Sequence, residues 1–254
     1  MVRVIGIVSG KGGVGKTTIG LNLGAALTHH FKKNVTIVDC NVTTSHLGLY
    51  LGMYYCPITL NKVLRGEYTA EEAVQHHHTG LKIIPASLSL SDLEGIDITE
   101  IRNSIKSIFD KNDIILLDGS PGLGREAIAT LKASDEILYV TSPFIPFAMD
   151  IVRNQEIVNE IGVKPIGIVL NMVHNKKHEM NTKEIEELTR LPVIAKIPFD
   201  MNVHKSLALK TPVVTFKPNT IASKEIIRLA SHIIGETYQS EGTLQRFLRK
   251  MKLG

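Results

Sequence analysis

A glycine-rich stretch near the start of the chain, GKGGVGKT from Gly10 to Thr17, has the residue types that bind a polyphosphate. Glycines let successive backbone N–H groups turn toward an anion, and the N-terminus of a following helix adds its own N–H groups and dipole. In this pattern Lys16 reaches the β- and γ-phosphates, the Thr17 hydroxyl binds Mg²⁺ and Thr18 reaches the α-phosphate. The loop residues that we expect to contact a nucleotide are Gly10, Gly12, Gly13, Val14, Gly15, Lys16, Thr17 and Thr18.

Short runs rich in β-branched residues alternate with longer stretches of helical spacing. The runs have no polar face, which is typical of strands buried on both sides in a parallel sheet. The predicted strands are Val2–Ser9, Asn34–Asp39, Leu81–Ala86, Asp113–Asp118, Glu136–Ser142, Lys164–Asn171 and Val193–Pro198. The predicted helices are Thr17–His30, Ile98–Phe109, Arg125–Ala133, Ala148–Ile161, Thr182–Thr189 and Thr220–Tyr238. This alternation predicts a doubly wound α/β fold, a mostly parallel sheet flanked by helices in the three-layer, Rossmann-like arrangement of P-loop NTPases.

Composition and charge indicate a cytoplasmic globular protein. Of the 254 residues 43% are hydrophobic, and no run approaches the roughly 18 apolar residues that span a bilayer. The two cysteines, Cys40 and Cys56, have no metal-ligand spacing. The net charge of +4 is matched by four basic residues in residues 243–254, a stretch without any acid. The rest of the chain is balanced, which argues against a broad nucleic-acid-binding surface.

The loop and four further segments together resemble the MinD/ParA family of P-loop ATPases, and most of all its archaeal and bacterial MinD branch. The family's phosphate loop, a deviant Walker A motif with a second, signature lysine, resembles SGKGGVGKTT. VDCNVTTSHLGLYLG (Val38–Gly52) resembles the first switch, and ILLDGSPGLG (Ile115–Gly124) resembles the Walker B strand and second switch. GIVLNMV (Gly167–Val173) and KIPFD (Lys196–Asp200) resemble the two adenine-site segments.

The resemblance implies a role for the second lysine, Lys11. In the family this lysine reaches across a two-fold dimer to the partner's nucleotide. ATP would then be part of the interface of a homodimer, and each subunit would complete the other's site. The alternative is a solvent-exposed loop lysine with no such role.

Further residues take roles by position. Asp118 ends a buried strand, where a carboxylate needs a strong partner, and Mg²⁺ bound through water is the usual one. Asp39 would also support Mg²⁺ through water, and the Gly122 N–H would bind the γ-phosphate. Asn171 would read adenine, and the segment Pro198, Phe199 and Asp200 would close the other side of the base. For Asp39, Asn171 and this last segment, a strand-end cap or turn residue remains an alternative.

Asn41 departs from the family pattern. The first switch of the family reads Asp-x-Asp, and its second Asp orients the attacking water, whereas this chain reads DCN. An amide oxygen accepts a hydrogen bond from water, but it carries no charge and takes no proton near neutral pH. We therefore expect nucleotide binding to survive and turnover to suffer.

The segment TLQRFLRKMKLG, residues 243–254, has an apolar face and basic residues. Leu244, Phe247, Leu248 and Met251 fall at i, i+3, i+4 and i+7, the spacing of one helical face. A basic amphipathic helix suits an anionic membrane surface, and MinD proteins carry a similar one. We therefore divide the chain into a P-loop ATPase domain, residues 1–239, and a linker with a membrane-targeting tail, residues 240–254. The alternative is a last core helix.

The run of three histidines, His76 to His78, suggests a metal site only weakly. Three successive side chains cannot all face one ion on a regular element. A surface loop is the favoured interpretation.

These observations predict an ATP-dependent dimerising switch with slow ATP hydrolysis. It would bind ATP or ADP with Mg²⁺, lie peripherally on the cytoplasmic face of the membrane and position an unidentified partner protein. The alternatives are a ParA-like partition ATPase acting on DNA or cargo, and a nucleotide-locked module that does not hydrolyse ATP because of Asn41.

If the missing charge at position 41 limits hydrolysis, Asn41→Asp should raise ATP turnover above that of the parent. A carboxylate holds the water more firmly, and general-base assistance is worth about 10²–10⁴-fold where it is available. Steady-state phosphate release measures the effect. An unchanged rate would mean that another group positions the water.

Overall fold

Eight strands form one sheet in the computed structural model, which describes residues 2–238. They are β1 (Arg3–Val8), β2 (Val35–Asp39), β3 (Gln75–His76), β4 (Lys82–Ile84), β5 (Ile114–Asp118), β6 (Glu136–Thr141), β7 (Lys164–Val173) and β8 (Val193–Pro198). Their order across the sheet is β3-β4-β2-β5-β1-β6-β7-β8. Only the edge strand β3 pairs antiparallel within the described residues, and every other pair is parallel.

Eleven α-helices lie within the described residues. They are α1 (Lys16–Phe31), α2 (Leu47–Tyr50), α3 (Leu60–Leu64), α4 (Ala70–Ala73), α5 (Ile101–Ser104), α6 (Arg125–Ala133), α7 (Ile145–Ile161), α8 (Thr182–Thr189), α9 (Met201–Ala208), α10 (Val213–Phe216) and α11 (Ile221–Ile234). None of the helices in residues 2–238 is long and apolar enough to cross a membrane.

Helices cover both faces of the sheet. Ile37 belongs to a hydrophobic cluster with residues of α1 and α11, whereas the next residue, Val38, belongs to a second cluster that includes Ile101 and Ala129. Successive side chains of a strand point to opposite faces, so the two clusters are the two sides of one sheet. This confirms the predicted doubly wound, three-layer fold.

The parallel register brings two acidic residues together. Asp39 is the last residue of β2 and Asp118 the last of β5, and their Cα positions are direct partners between these adjacent strands. Both side chains are almost completely buried. The carboxyl ends of the central strands therefore meet at one edge, next to the loop that follows β1.

Three of the predicted helices differ from the structure. Residues 98–109 do not form one helix but a 3₁₀ turn, the short α5 and a second 3₁₀ turn. Their buried isoleucines recur every three or four residues, a spacing that both helix types satisfy. α7 begins at Ile145 rather than Ala148 because Pro146 is tolerated in a first turn. α11 ends at Ile234, where Gly235 adopts a left-handed conformation.

The structure describes the histidine run but not the basic tail. His76 ends the short edge strand β3 and His77 is buried, with Nδ1 2.7 Å from the Thr79 hydroxyl. The predicted surface loop is therefore wrong in part. No group of three or more His, Cys, Asp or Glu side chains that would hold a metal ion occurs in residues 2–238. The predicted tail and its four apolar residues lie outside the described residues.

Candidate nucleotide-binding site

The glycine-rich loop joins β1 to α1 and leaves the N-terminus of the helix open. Gly13 and Gly15 have φ angles of 81° and 89°, a left-handed conformation that glycine adopts without strain. Gly15 is the residue that precedes α1, and it has no side chain to cap the first N–H groups of the helix. These groups remain available to an anion.

Lys16 is the first residue of α1, and its side chain is buried beside Asp118. Burial lowers the pKa of its ammonium group, while the neighbouring Asp118 raises it. A buried cation that one carboxylate only partly compensates attracts a further anion. This is the environment expected for a lysine that contacts phosphate.

Asp118 has a free oxygen that suits a cation. Its Oδ1 is buried and has no hydrogen-bond partner. Burial raises the pKa of this carboxyl, while a hydrogen bond from Thr17 and the charge of Lys16 lower it. Mg²⁺ prefers carboxylate and hydroxyl oxygens and keeps several waters. Asp118 and Thr17 would hold such an ion together with the phosphates of a nucleotide.

Asp39 organises the loop that follows β2, residues 40–46, which we name the first switch loop. One carboxylate oxygen accepts hydrogen bonds from the Ser45 hydroxyl (2.7 Å) and the Leu47 N–H (3.3 Å), and the other from the Asn41 N–H (3.1 Å). Burial and the nearby Asp118 raise its pKa. Asp39 therefore acts here as a cap of the strand end, the alternative that the sequence left open.

Asn41 makes several hydrogen bonds of its own. Its Oδ1 lies 3.0 Å from the Thr44 hydroxyl and 2.9 Å from the Ser120 hydroxyl, and its amide NH₂ donates to the Thr44 carbonyl at 2.8 Å. Ser120 belongs to residues 119–124, the second switch loop, which follows β5. The side chain thus links the two switch loops, and its oxygen lies within hydrogen-bond distance of two hydroxyls.

A cavity of about 480 Å³ connects the loop to the predicted adenine segments. Eleven of the predicted residues line it: Gly12, Gly13, Gly15, Lys16, Thr17, Thr18, Asn41, Asn171, Pro198, Phe199 and Asp200. The volume falls within the range of small-ligand pockets. The structure therefore brings the phosphate and adenine segments to one site, as their order along the sheet requires.

The adenine segments are positioned by backbone contacts. Asn171 donates from Nδ2 to the Val14 carbonyl at 2.8 Å, which fixes the phosphate loop against β7. A Cβ atom on Gly15 would lie 2.3 Å from this Nδ2, so no larger residue fits there. Asp200 caps α9 by accepting from the Asn202 N–H at 2.8 Å. The Asn171 Oδ1 and its second amide hydrogen remain available to a base.

These observations match a known family. A model of the CobQ/CobB/MinD/ParA nucleotide-binding domain matches residues 5–213. The chain belongs to this family. An uncharacterised ATP-binding protein of Methanocaldococcus jannaschii is 33% identical over 241 residues, 95% of this chain and 91% of its own length. The septum site-determining protein MinD of Thermotoga maritima is 30% identical over 274 residues, which cover all of both chains.

Solved structures of the MinD/ParA family show the same fold. The cell division ATPase MinD of Pyrococcus furiosus has a TM-score of 0.88 at 31% identity, covering 92% of this chain and 99% of its own. The septum site-determining protein MinD of Pyrococcus horikoshii, solved with Mg-ADP, has a TM-score of 0.87 at 30% identity, covering 92% and 96%. The resemblance inferred from the motifs is confirmed.

Some predicted residues lie outside the cavity. Lys11 is exposed, with its Nζ 5.3 Å from the centre of the Phe147 ring on α7. Gly10 packs so closely on α7 that an added Cβ would lie 2.1 Å from the Asp150 Cβ. The Gly122 N–H donates to the Ser9 carbonyl at 2.9 Å, so it would contact a phosphate only after that bond breaks.

Other residues that line the cavity were missed. His46 and Tyr50, whose rings stack 6.3 Å apart, approach from the first switch loop and α2, and His204 and Leu207 approach from α9. His46 and Tyr50 lie within the first-switch segment Val38–Gly52, which gives them no role, and the two residues of α9 lie in no motif. α9 follows directly after Asp200 but was not among the predicted helices. Its helical spacing was the one signal in the sequence for His204 and Leu207.

The buried Asp118 carboxyl predicts a pH-dependent stability. Its pKa is raised from 3.8 to about 6, so its contribution to folding is present below about pH 4 and is lost as the pH rises through 6. Asp118→Asn lacks this titration. Without nucleotide or Mg²⁺, we expect the variant to gain stability relative to the parent between pH 5 and pH 8, on the order of 1–3 kcal/mol.

Thermal unfolding at each pH measures this difference. Asp110→Asn, which removes an exposed carboxylate, is the control and should show no such trend. A difference between Asp118→Asn and the parent that stays constant with pH would contradict the raised pKa of this buried carboxyl.

Proposed function

We propose that the protein is a nucleotide-dependent switch of the MinD type that binds ATP with Mg²⁺, dimerises and hydrolyses ATP slowly. Its cofactors are ATP or ADP and Mg²⁺. The observation that carries the proposal is the unpartnered, buried Asp118 oxygen beside Lys16 and Thr17, at the open N-terminus of α1. The Mg-ADP bound to the Pyrococcus horikoshii relative supports it.

The surface around Lys11 supports an ATP-dependent homodimer. Lys11 points onto Phe147 rather than into its own cavity, so its ammonium group is free to reach a second subunit. The Phe147 ring lies 6.0 Å from that of Phe144. Large apolar side chains on this side are exposed by 36–62%: Leu123, Phe144, Ile145 and Met149. Exposed apolar side chains next to a cation that reaches out of its own site are features of an interface.

The membrane and the partner protein belong to the same proposal. We infer that residues 240–254 attach the dimer peripherally to an anionic membrane on the cytoplasmic side, where it positions a partner protein. The basis is the apolar spacing and the excess of basic residues in this segment. The charge balance of the remaining chain disfavours the ParA-like role on nucleic acid.

A nucleotide-locked module without turnover is the second candidate function. The Asn41 oxygen already lies within hydrogen-bond distance of two hydroxyls, Thr44 and Ser120. A water molecule would have to compete with both.

One assay distinguishes these functions. Phosphate release from ATP is measured for the protein alone, with anionic liposomes and with double-stranded DNA, after nucleotide binding has been verified by fluorescence titration. Turnover that rises with liposomes supports the membrane switch, and turnover that rises with DNA supports the partition ATPase. Tight ATP binding without turnover under any condition supports the locked module. A protein that binds no ATP would contradict all three.

If Lys11 reaches the partner's nucleotide, Lys11→Ala should retain ATP binding and lose ATP-dependent dimerisation. Light scattering with ATP and Mg²⁺ measures the mass, and nucleotide titration measures the affinity. Lys16→Ala is the matched control, because it removes the buried phosphate-binding lysine and should lose binding itself. If Lys11→Ala dimerises with ATP as tightly as the parent, Lys11 does not have this role.

If residues 243–254 bind membranes, co-sedimentation with anionic liposomes should require both ATP and this segment, and it should weaken with salt. Each basic residue contributes on the order of 1 kcal/mol near an anionic leaflet. Two copies joined in the ATP dimer gain a further factor of about 10²–10⁴ through effective concentration. Deletion of residues 243–254 should abolish sedimentation and leave ATP binding and dimerisation intact.

Two substitutions in the segment refine this test. Phe247→Ser removes a residue of the apolar face and should weaken sedimentation, whereas Gln245→Ser on the polar side should not. Equal sedimentation of the truncated protein, or none by the intact ATP dimer, would contradict the membrane role.

A further inference from the structure

Glu126 binds both switch loops at once. It is the second residue of α6, and its Oε1 accepts a hydrogen bond from the Thr43 hydroxyl of the first switch loop. Its Oε2 accepts from the Ser120 hydroxyl of the second switch loop. Ser120 is 6 residues from Glu126 along the chain, whereas Thr43 is 83 residues away, so the fold brings the first switch loop to this carboxylate.

The charge of Glu126 is not neutralised by its neighbour. Arg125 pairs instead with Asp97 at 3.5 Å. Within residues 2–238 Glu126 forms no ion pair, and its partners are the two hydroxyls. Carboxylate acceptors make hydrogen bonds roughly twice as strong as neutral ones, so the two loops are held firmly.

Ser120 connects Glu126 to Asn41. Its hydroxyl lies within hydrogen-bond distance of both the Glu126 carboxylate and the Asn41 Oδ1, and it has one proton to donate. The carboxylate is the stronger acceptor. When the proton goes to Glu126, the Asn41 oxygen keeps only the Thr44 hydroxyl as a donor and can accept a further hydrogen bond, such as one from a water.

We propose that Glu126 supplies the negative charge that Asn41 lacks at the hydrolysis site, by holding Ser120 and thereby setting the Asn41 oxygen to orient the attacking water. The inference rests on the proposed ATP hydrolysis. In that reaction the water oxygen bonds to the γ-phosphorus, and the bond to the β,γ-bridging oxygen breaks. ADP leaves with the electron pair, and both protons of the water end on the released phosphate. Glu126 does not touch the nucleotide and is a positioning residue.

This arrangement changes what is expected of position 41. Asn41→Asp in the parent would place a second carboxylate on the Ser120 hydroxyl that Glu126 already binds, and like charges in one site oppose each other. In the double variant Asn41→Asp with Glu126→Gln, the negative charge moves from position 126 to position 41. The net charge of the site stays the same. We therefore expect the gain from Asn41→Asp to be larger when Glu126 is Gln.

The test is the four-member cycle of the parent, Glu126→Gln, Asn41→Asp and the double variant. The rate of a single ATP turnover with enzyme in excess is measured for each, together with nucleotide affinity. Glu126→Gln should lower the rate by about tenfold or more with its affinity unchanged, and the double variant should recover the parent's rate. Glu184→Gln removes the same charge from the first turn of α8 and should have no effect on the rate.

A second measurement does not depend on hydrolysis. Backbone hydrogen exchange of the two switch loops should be faster in Glu126→Gln than in the parent, with and without nucleotide. Unchanged exchange overturns the link between the loops. A rate loss in Glu126→Gln that the double variant does not recover leaves Glu126 a structural role only and overturns the proposal. If the parent binds ATP and releases no phosphate, the proposed hydrolysis fails and with it the role in orienting water, whereas faster exchange would still assign the link to Glu126.

Discussion

The burial of two carboxylates side by side constrains the rest of this site. The parallel register of β2 and β5 makes Asp39 and Asp118 direct neighbours, and both are withdrawn from water. Burial raises both pKa values, and the charge of Asp118 raises that of Asp39 further. Buried charges of like sign are stable only with strong partners. Lys16 supplies part of the compensation, and a divalent cation would supply the rest.

The two acids compensate their burial in different ways, and this difference separates their roles. Asp39 accepts hydrogen bonds from one hydroxyl and two backbone N–H groups, so it fixes the course of the first switch loop. Asp118 keeps one oxygen without a partner. A ligand that brings a cation to Asp118 reduces the repulsion on Asp39, which in turn holds Asn41. A cation bound at Asp118 would thereby be coupled to the first switch loop.

The sequence predicted the sheet, the phosphate loop and the residues at strand ends, because buried parallel strands and glycine-rich loops have strong local signatures. Gly15 and Asn171 meet because the carboxyl ends of β1 and β7 lie at the same edge of the sheet, which the predicted parallel orientation implies. The interrupted segment after Ile98 was not predictable, since isoleucines spaced by three and four residues fit α and 3₁₀ turns equally. His46 lies within the first-switch segment Val38–Gly52 but was missed because the motif gives it no role. His204 lies in no motif, and only the packing of α9 brings it to the cavity.

Glu126 was missed for a different physical reason. A motif records which residue type stands at which position, whereas a charge acts through space from any element that reaches the same point. The expected carboxylate is absent from position 41. However, α6 begins directly after the second switch loop, and Glu126 in its first turn accepts hydrogen bonds from the Thr43 and Ser120 hydroxyls. Glu126 also stabilises α6, because a negative charge is favourable near a helix N-terminus. An acidic residue that stabilises a helix N-terminus can therefore also supply charge to a site that it reaches through one intervening side chain, here Ser120. The loss of a motif residue does not by itself mean that the site has lost its charge.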